Sequence, residues 1–144
     1  MSYEIKMADG RGFFDFERLT VYQRALEFAD FVFELCKKMS PDYRNSIVNQ
    51  LQRAAVSVAN NIAEGSGKLS RREQIKYYSY ALDSAKECIP PLTMAHRQKQ
   101  ITDSEHEKGR QYGSDICKMM VKLIQSVEAQ ELHKEVREEP GLYL

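Results

Sequence analysis

Four cations crowd one short stretch of the chain: Lys68, Arg71, Arg72 and Lys76, in "GSGKLSRREQIK" at residues 65–76. Ser70 followed by Glu73 is a capping box, so a helix is expected to open there. The free N–H groups of a helix start favour anions, and the chemistry this corner offers is therefore contact with phosphate. The same run would also serve as an ordinary solvated charge cluster. Tyr77, Tyr78 and Tyr80 follow at once, and aromatic rings beside cations are the parts from which base-stacking platforms are made. Packing within the fold is the competing use of those rings. The Gly65-Ser66-Gly67 run is expected to be a helix stop rather than a phosphate loop, because no strand precedes it and GxGxxG is incomplete.

Residues for catalysis or metal binding are not arranged to act together. His96, His106 and His133 are scattered, and Asp103-x-x-His106 is a single pair at a helix start. A di-metal carboxylate site in a helical bundle needs inward Glu-x-x-His pairs on two helices, and the sequence contains none. Cys36, Cys88 and Cys117 form no CxxC pair, so reduced, buried or half-buried thiols are expected. No Ser/His/Asp or Cys/His constellation follows from spacing. The expectation is a protein that is not an enzyme and has no metal and no cofactor.

The elements that must position the cationic corner are helical. Leu19, Tyr22, Ala25, Leu26, Ala29, Val32, Phe33 and Cys36 recur at steps of three and four, which predicts a helix over residues 16–38. Ser40-Pro41 offers a cap and a first-turn proline. The second helix is expected over 42–64, burying Ile47, Leu51, Ala54, Ala55, Val58 and Ile62, with Gly65 stopping it in a left-handed conformation. The third is expected over 70–98 on Ile75, Tyr78, Leu82, Ala85 and Ile89, with a kink near residue 90, where Pro90 and Pro91 interrupt the pattern. The fourth is expected over 102–129, opened by a Thr102/Glu105 capping box. It buries Ile116, Met119, Met120, Leu123, Ile124 and Val127, with a weak point at Gly113-Ser114 and a tail over 130–144. No stretch reads as a strand. The predicted class is all-α, an antiparallel up-down-up-down four-helix bundle in a single domain.

The second helix carries more than one apolar stripe needs. Gln50, Arg53, Ser57, Asn61 and Glu64 form a polar row beside the buried face, at roughly 130° round the helix by its 100° step. Small residues lie between the two rows. Asn60 and Asn61 near a helix end imply a structural task, since asparagine competes for backbone hydrogen bonds. Two packing faces are expected on this helix, the second meeting helix one, helix three or a neighbouring subunit; a plain solvated surface is the alternative.

Composition sets the bounds. The 144 residues are enough for one domain with its own core. With 21 basic and 21 acidic residues the net charge is zero, whereas proteins that live on phosphate backbones are usually basic on at least one face. The charge is unevenly spread: Lys68, Arg71, Arg72, Lys76, Lys86, Arg97 and Lys99 face only Glu73, Asp83 and Glu87 between residues 65 and 100. No apolar run approaches the ~20 residues of a membrane span, and "MSYEIKMADGRG" lacks the apolar core of a signal peptide. A cytoplasmic location is expected.

Three segments carry a resemblance: "LTVYQRALEF" at 19–28, "QLQRAAVSVANNIAEGSGKLSRREQIKYYSYALDSAKE" at 50–87 and "DICKMMVKLIQSV" at 115–127. Together they resemble the 23S rRNA intervening-sequence protein family, whose members are often labelled ribosomal. The signature is densest at Arg53, Ala54, Ser57, Asn61, Ile62, Ala63, Glu64 and Gly65. The resemblance implies a non-catalytic four-helix bundle that assembles as a pentamer, with Arg53, Ser57, Asn61, Glu64 and Gly65 as structural or interface residues. It also implies an association with RNA or with a nucleoprotein partner. A related branch, the accessory variability protein of diversity-generating retroelements, is a basic five-fold barrel that binds nucleic acid and a reverse transcriptase. An adaptor beside such an enzyme, without direct nucleic-acid contact, is the alternative, and the neutral charge of this chain favours it. The chain has Tyr22 where the family commonly has Trp.

Overall fold

The computed structural model describes residues 14–138, with side chains to residue 133. The segment read for a signal peptide lies outside these residues, as does the last part of the expected tail. The described residues fold as an all-α helical bundle without strands. Its α-helices are α1 (Thr20–Lys38), α2 (Asn49–Ser66), α3 (Arg71–Glu87), α4 (Ile89–Arg97) and α5 (Asp103–Glu138). Packing runs in a ring, α1 on α2, α2 on α3, α3 on α5 and α5 on α1, while α4 prolongs α3 along α5. Paired contacts fall in opposite chain order. Arg24 meets Asp115 and Lys38 meets Glu105 between α1 and α5. Ser57 meets Ser84, and Gly65 meets Tyr78, between α2 and α3.

The core is apolar and tightly closed, with Phe28, Leu51, Ile62, Leu92, Ile116, Met120, Val32 and Val58 fully buried. The whole apolar set expected for the second helix is buried, Ile47 in the turn before α2 and Leu51, Ala54, Ala55, Val58 and Ile62 on α2 itself. On α1 the buried stripe is rotated from the expected one. Val21, Phe28 and Leu35 go inside, whereas Leu26 and Phe33 remain 37% and 40% exposed. Leu26 and Phe33 keep step with Ala25, Ala29 and Val32 in sequence, but they sit at the edge of the stripe. Phe33 borders a shallow groove with Gln52, Arg53 and Val56 of α2 instead of entering the core.

Four boundaries differ from the sequence expectation. A 3-10 turn (Asp15–Arg18) precedes α1, so the helix expected from residue 16 begins at Thr20. A short 3-10 turn (Pro41–Tyr43) and a π-helical turn (Arg44–Val48) precede α2, so the α-helix proper begins at Asn49 rather than near 42. Ser40 does cap this region, its Oγ accepting from the Asp42 N–H at 3.3 Å. The expected single helix over 70–98 is two helices meeting at Cys88. Pro90 and Pro91 lack N–H groups, so the carbonyls of Lys86 and Glu87 have no donor one turn on. By ending α3 at Glu87 the chain moves both prolines into the first turn of α4, where a missing N–H costs little. Finally, α5 continues to Glu138, past the end expected near 129. Its start is the expected reciprocal box: the Thr102 N–H donates to Glu105 Oε1 at 2.9 Å, and Thr102 Oγ1 accepts from the Glu105 N–H at 3.1 Å.

Gly65, Gly109 and Gly113 are packing residues. No left-handed conformation occurs at Gly65, which lies inside α2; a Cβ there would come within 2.8 Å of two Tyr78 ring carbons and 3.2 Å of the Gln74 carbonyl. Gly65 is therefore required by the close approach of α3. Gly113 and Gly109 act likewise on α5, where a Cβ would stand 3.0 Å from Ile89 Cδ1 and 2.9 Å from Leu92 Cδ1. The expected weak point at Gly113 is a close helix crossing instead.

Candidate nucleic-acid interface

The α2–α3 corner gathers the four cations singled out by the sequence. Three backbone and side-chain links brace it: the Lys68 N–H donates to the Gly65 carbonyl at 3.1 Å, Gln74 Nε2 donates to the Lys68 carbonyl at 3.1 Å, and Ser70 Oγ accepts from the Glu73 N–H at 3.1 Å. On this frame Lys68 and Lys76 both approach the face of Tyr77, with Nζ to ring-centroid distances of 4.9 and 5.9 Å. Lys68 also pairs with Glu64 at 3.6 Å, an i,i+4 contact near the surface that adds little to stability. Arg72 and Lys76 are exposed. Arg71 is half-buried, and its Nε is a buried donor with no hydrogen-bond partner among the described residues.

The tyrosines separate into different roles. Tyr78 is 4% exposed, packed on Gly65, so it has no face free for a base. Burial pushes its phenol up, against a lowering hydrogen bond with Ser66. Tyr77 is half-buried beneath the two lysines and meets Tyr80 edge-on at 5.6 Å. Tyr80, 43% exposed, is the ring left open to solvent. The stacking expectation therefore fails at Tyr78, because helix-to-helix closeness consumes that ring.

The polar row on α2 also divides. Ser57 Oγ lies 2.9 Å from Ser84 Oγ of α3, and Asn61 Nδ2 donates to the Ser57 carbonyl at 2.9 Å and to Ser57 Oγ at 3.0 Å. Helix three therefore occupies that part of the second α2 face. Gln50, Arg53 and Glu64 remain exposed. Arg53 and Ser57 line a groove of about 540 Å³ whose far wall is Glu87, Pro90 and Pro91. On the α1 side, Phe33 and Val56 stay partly exposed beside Arg53 and Asn60.

Two features of the surface escaped the sequence reading. Leu69, at the tip of the cationic corner, is 99% exposed; its signal is a leucine between Lys68 and Ser70 that belongs to no helical stripe. At the other end, the His96 and His106 rings stack at 4.4 Å, and His96 Nε2 lies 2.6 Å from Asp103 Oδ1. Histidines scattered in sequence meet there because the α4–α5 turn folds α4 back onto the start of α5.

Among the described residues no cluster of His, Cys, Asp and Glu is placed to hold a metal ion. Burial raises the Cys36 thiol to about 11 and the Cys88 thiol to about 12, which leaves them as poor nucleophiles. No described helix is long and apolar enough to cross a membrane.

The family model described as 23S rRNA-intervening sequence protein matches residues 17–122. Among solved structures, a protein of unknown function from the S23 ribosomal protein family of Bacteroides thetaiotaomicron, at 1.70 Å resolution, is similar with a TM-score of 0.68 and 26% identity, over 73% of this chain and 95% of that chain. No curated protein matches the sequence.

Proposed function

The chain belongs to the 23S rRNA-intervening sequence protein family, and from that premise we propose that it is a non-catalytic, homo-oligomeric helical bundle, pentameric and cytoplasmic, that associates with RNA. Lys68, Arg71, Arg72 and Lys76 are the phosphate-contacting residues in this reading. The observation that carries it is the corner itself. It concentrates four cations on a braced turn in a protein whose overall charge is zero. A polyanion is the ligand class that would favour such local concentration. Arg53, Ser57, Asn61, Glu64 and Gly65 are structural or interface residues. Ser57 and Gly65 hold α2 to α3 and Asn61 bonds back to Ser57 within α2, while Arg53 and Glu64 remain available to a neighbouring subunit.

Filter binding to 23S rRNA fragments across a salt series tests the RNA contact. Each phosphate engaged contributes about 0.7–0.9 to the slope of log affinity against log salt. Charge reversal of Arg71 and Arg72 together is expected to weaken binding and flatten that slope. Equal affinity and equal slope in the variant would remove the reading. Solution mass by light scattering tests the assembly, with five subunits expected and a monomer overturning it. The neutral total charge favours a second reading, an adaptor that touches only protein, for which RNA affinity would be absent at every salt concentration.

A further inference from the structure

We propose that Leu69 is an apolar wedge that inserts beside an unstacked base of RNA while the surrounding cations hold the phosphates. The inference rests on the RNA reading above and assigns to it a specific mode: recognition of single-stranded or bulged RNA rather than of a continuous duplex. Leu69 is 99% exposed, the most exposed of the large apolar side chains described, and Lys68, Arg71 and Arg72 flank it. Nothing among the described residues uses it. It lies outside the core and its satellites, so the fold does not account for a leucine at this position.

The turn also presents it stiffly. On one side the Lys68 N–H and carbonyl are tied to Gly65 and Gln74; on the other Ser70 caps α3. A side chain held out by a braced backbone loses little conformational freedom when it is buried by a partner. An apolar tip among cations is matched by a nucleic acid, which is the ligand class of the reading above. Its phosphates meet the charges, and its base faces are the apolar surface between them. Apolar side chains, leucine included, enter base steps in this way, and bases already splayed in loops and bulges admit them most cheaply.

The wild-type chain and Leu69→Ala are compared on an RNA hairpin carrying a bulge labelled with 2-aminopurine. The alanine variant is expected to melt at the wild-type temperature, since the side chain it loses packs on nothing. It is expected to bind about tenfold more weakly with an unchanged salt slope, because no phosphate contact is removed. The fluorescence rise on unstacking is expected for wild type and for Leu69→Met, and to be lost in Leu69→Ala. Unchanged affinity and fluorescence in the alanine variant, with a steep salt slope intact, would overturn the wedge while leaving the RNA reading standing. Absence of salt-dependent RNA binding by the wild type would overturn both. A wild-type protein that sediments with phosphatidylserine vesicles, with loss of that binding in Leu69→Ala and no change on RNA, would assign the tip to a lipid surface and overturn the wedge.

Discussion

Ser57 on α2 and Ser84 on α3 face each other with their hydroxyl oxygens 2.9 Å apart, and Asn61 closes the group from one turn further along α2. Ser84 is 6% exposed, so this hydroxyl pair is a polar clasp inside an otherwise apolar helix contact. Removing Ser57 takes this partner from the buried Ser84 hydroxyl, removing Ser84 leaves Ser57 accepting from Asn61 alone, and removing both leaves two methyl-sized groups in contact. Ser84→Ala is expected to cost about 0.5–1.5 kcal/mol, and the Ser57→Ala/Ser84→Ala pair less than the sum of the two single losses. Urea denaturation of the four proteins of that cycle measures the coupling. Strict additivity would mean that the clasp contributes no joint stability.

Gly65 and Gly67 stand two residues apart and should respond oppositely to alanine. At Gly65 the added methyl meets the Tyr78 ring at 2.8 Å and the rigid Gln74 carbonyl at 3.2 Å, so α3 must shift, and overpacking of this kind costs about 1–3 kcal/mol. At Gly67 the nearest atoms are carbonyl oxygens at 3.7 and 3.8 Å, and the backbone has φ −86°. Gly67→Ala is therefore expected to be neutral or stabilising by up to about 1 kcal/mol, through the lower entropy of the unfolded chain. Thermal melts separate the two. A Gly65→Ala protein as stable as wild type would show that the α2–α3 approach is not tight.

The apolar set of α2 was legible in the sequence because periodicity alone decides which residues can share a face. On α5 only Ile116, Met120 and Val127 of the expected set are buried, and Met119, Leu123 and Ile124 are half-buried. The cationic corner was legible too, since charges adjacent in sequence around a turn stay adjacent in space. What escaped depends on distances between helices. Gly65 reads as a helix stop until Tyr78 is found against it. Leu26 and Phe33 fit the stripe of α1, yet both stay partly exposed, Phe33 beside a shallow groove with α2 rather than in the core. Tyr77, Tyr78 and Tyr80 are alike in sequence, and only the approach of α2 selects which of them loses its free face. The groove between Arg53 and Glu87 needs both the polar row and the α3–α4 break, two features recorded far apart in the chain.

Lys99 is the one described non-glycine residue with a positive φ, at 58°. It follows α4 in a Schellman arrangement, with the Lys99 N–H donating to the His96 carbonyl at 3.0 Å and the Gln100 N–H to the Ala95 carbonyl at 2.9 Å. A side chain in this conformation is strained by roughly 1 kcal/mol relative to glycine, partly offset by the entropy glycine loses on folding. Lys99→Gly is expected to raise stability by about 0.5 kcal/mol, whereas Lys99→Val should lower it by more, because a β-branched side chain tolerates positive φ poorly. The order Gly, Lys, Val in chemical denaturation checks this, and any other order would place the strain elsewhere.

Acid sensitivity should arise at the same end of the molecule. His106 stacks on His96 and lies 3.4 Å from Thr93 Oγ1. Burial first, then the charges of His96 and Arg110, hold its imidazole below the ordinary value of 6.5, with Glu107 and Asp103 opposing. A histidine whose folded pKa is depressed takes its proton more readily in the unfolded chain. Its contribution to stability is therefore present above the ordinary value and is lost as pH falls through and below it. The melting temperature is expected to fall between about pH 7.5 and pH 5.5. His106→Phe keeps an aromatic ring against His96 but removes the titrating group, so its melting temperature should fall less over the same interval. Melts of both proteins at matched ionic strength check the assignment, and parallel profiles would place the acid sensitivity on other groups.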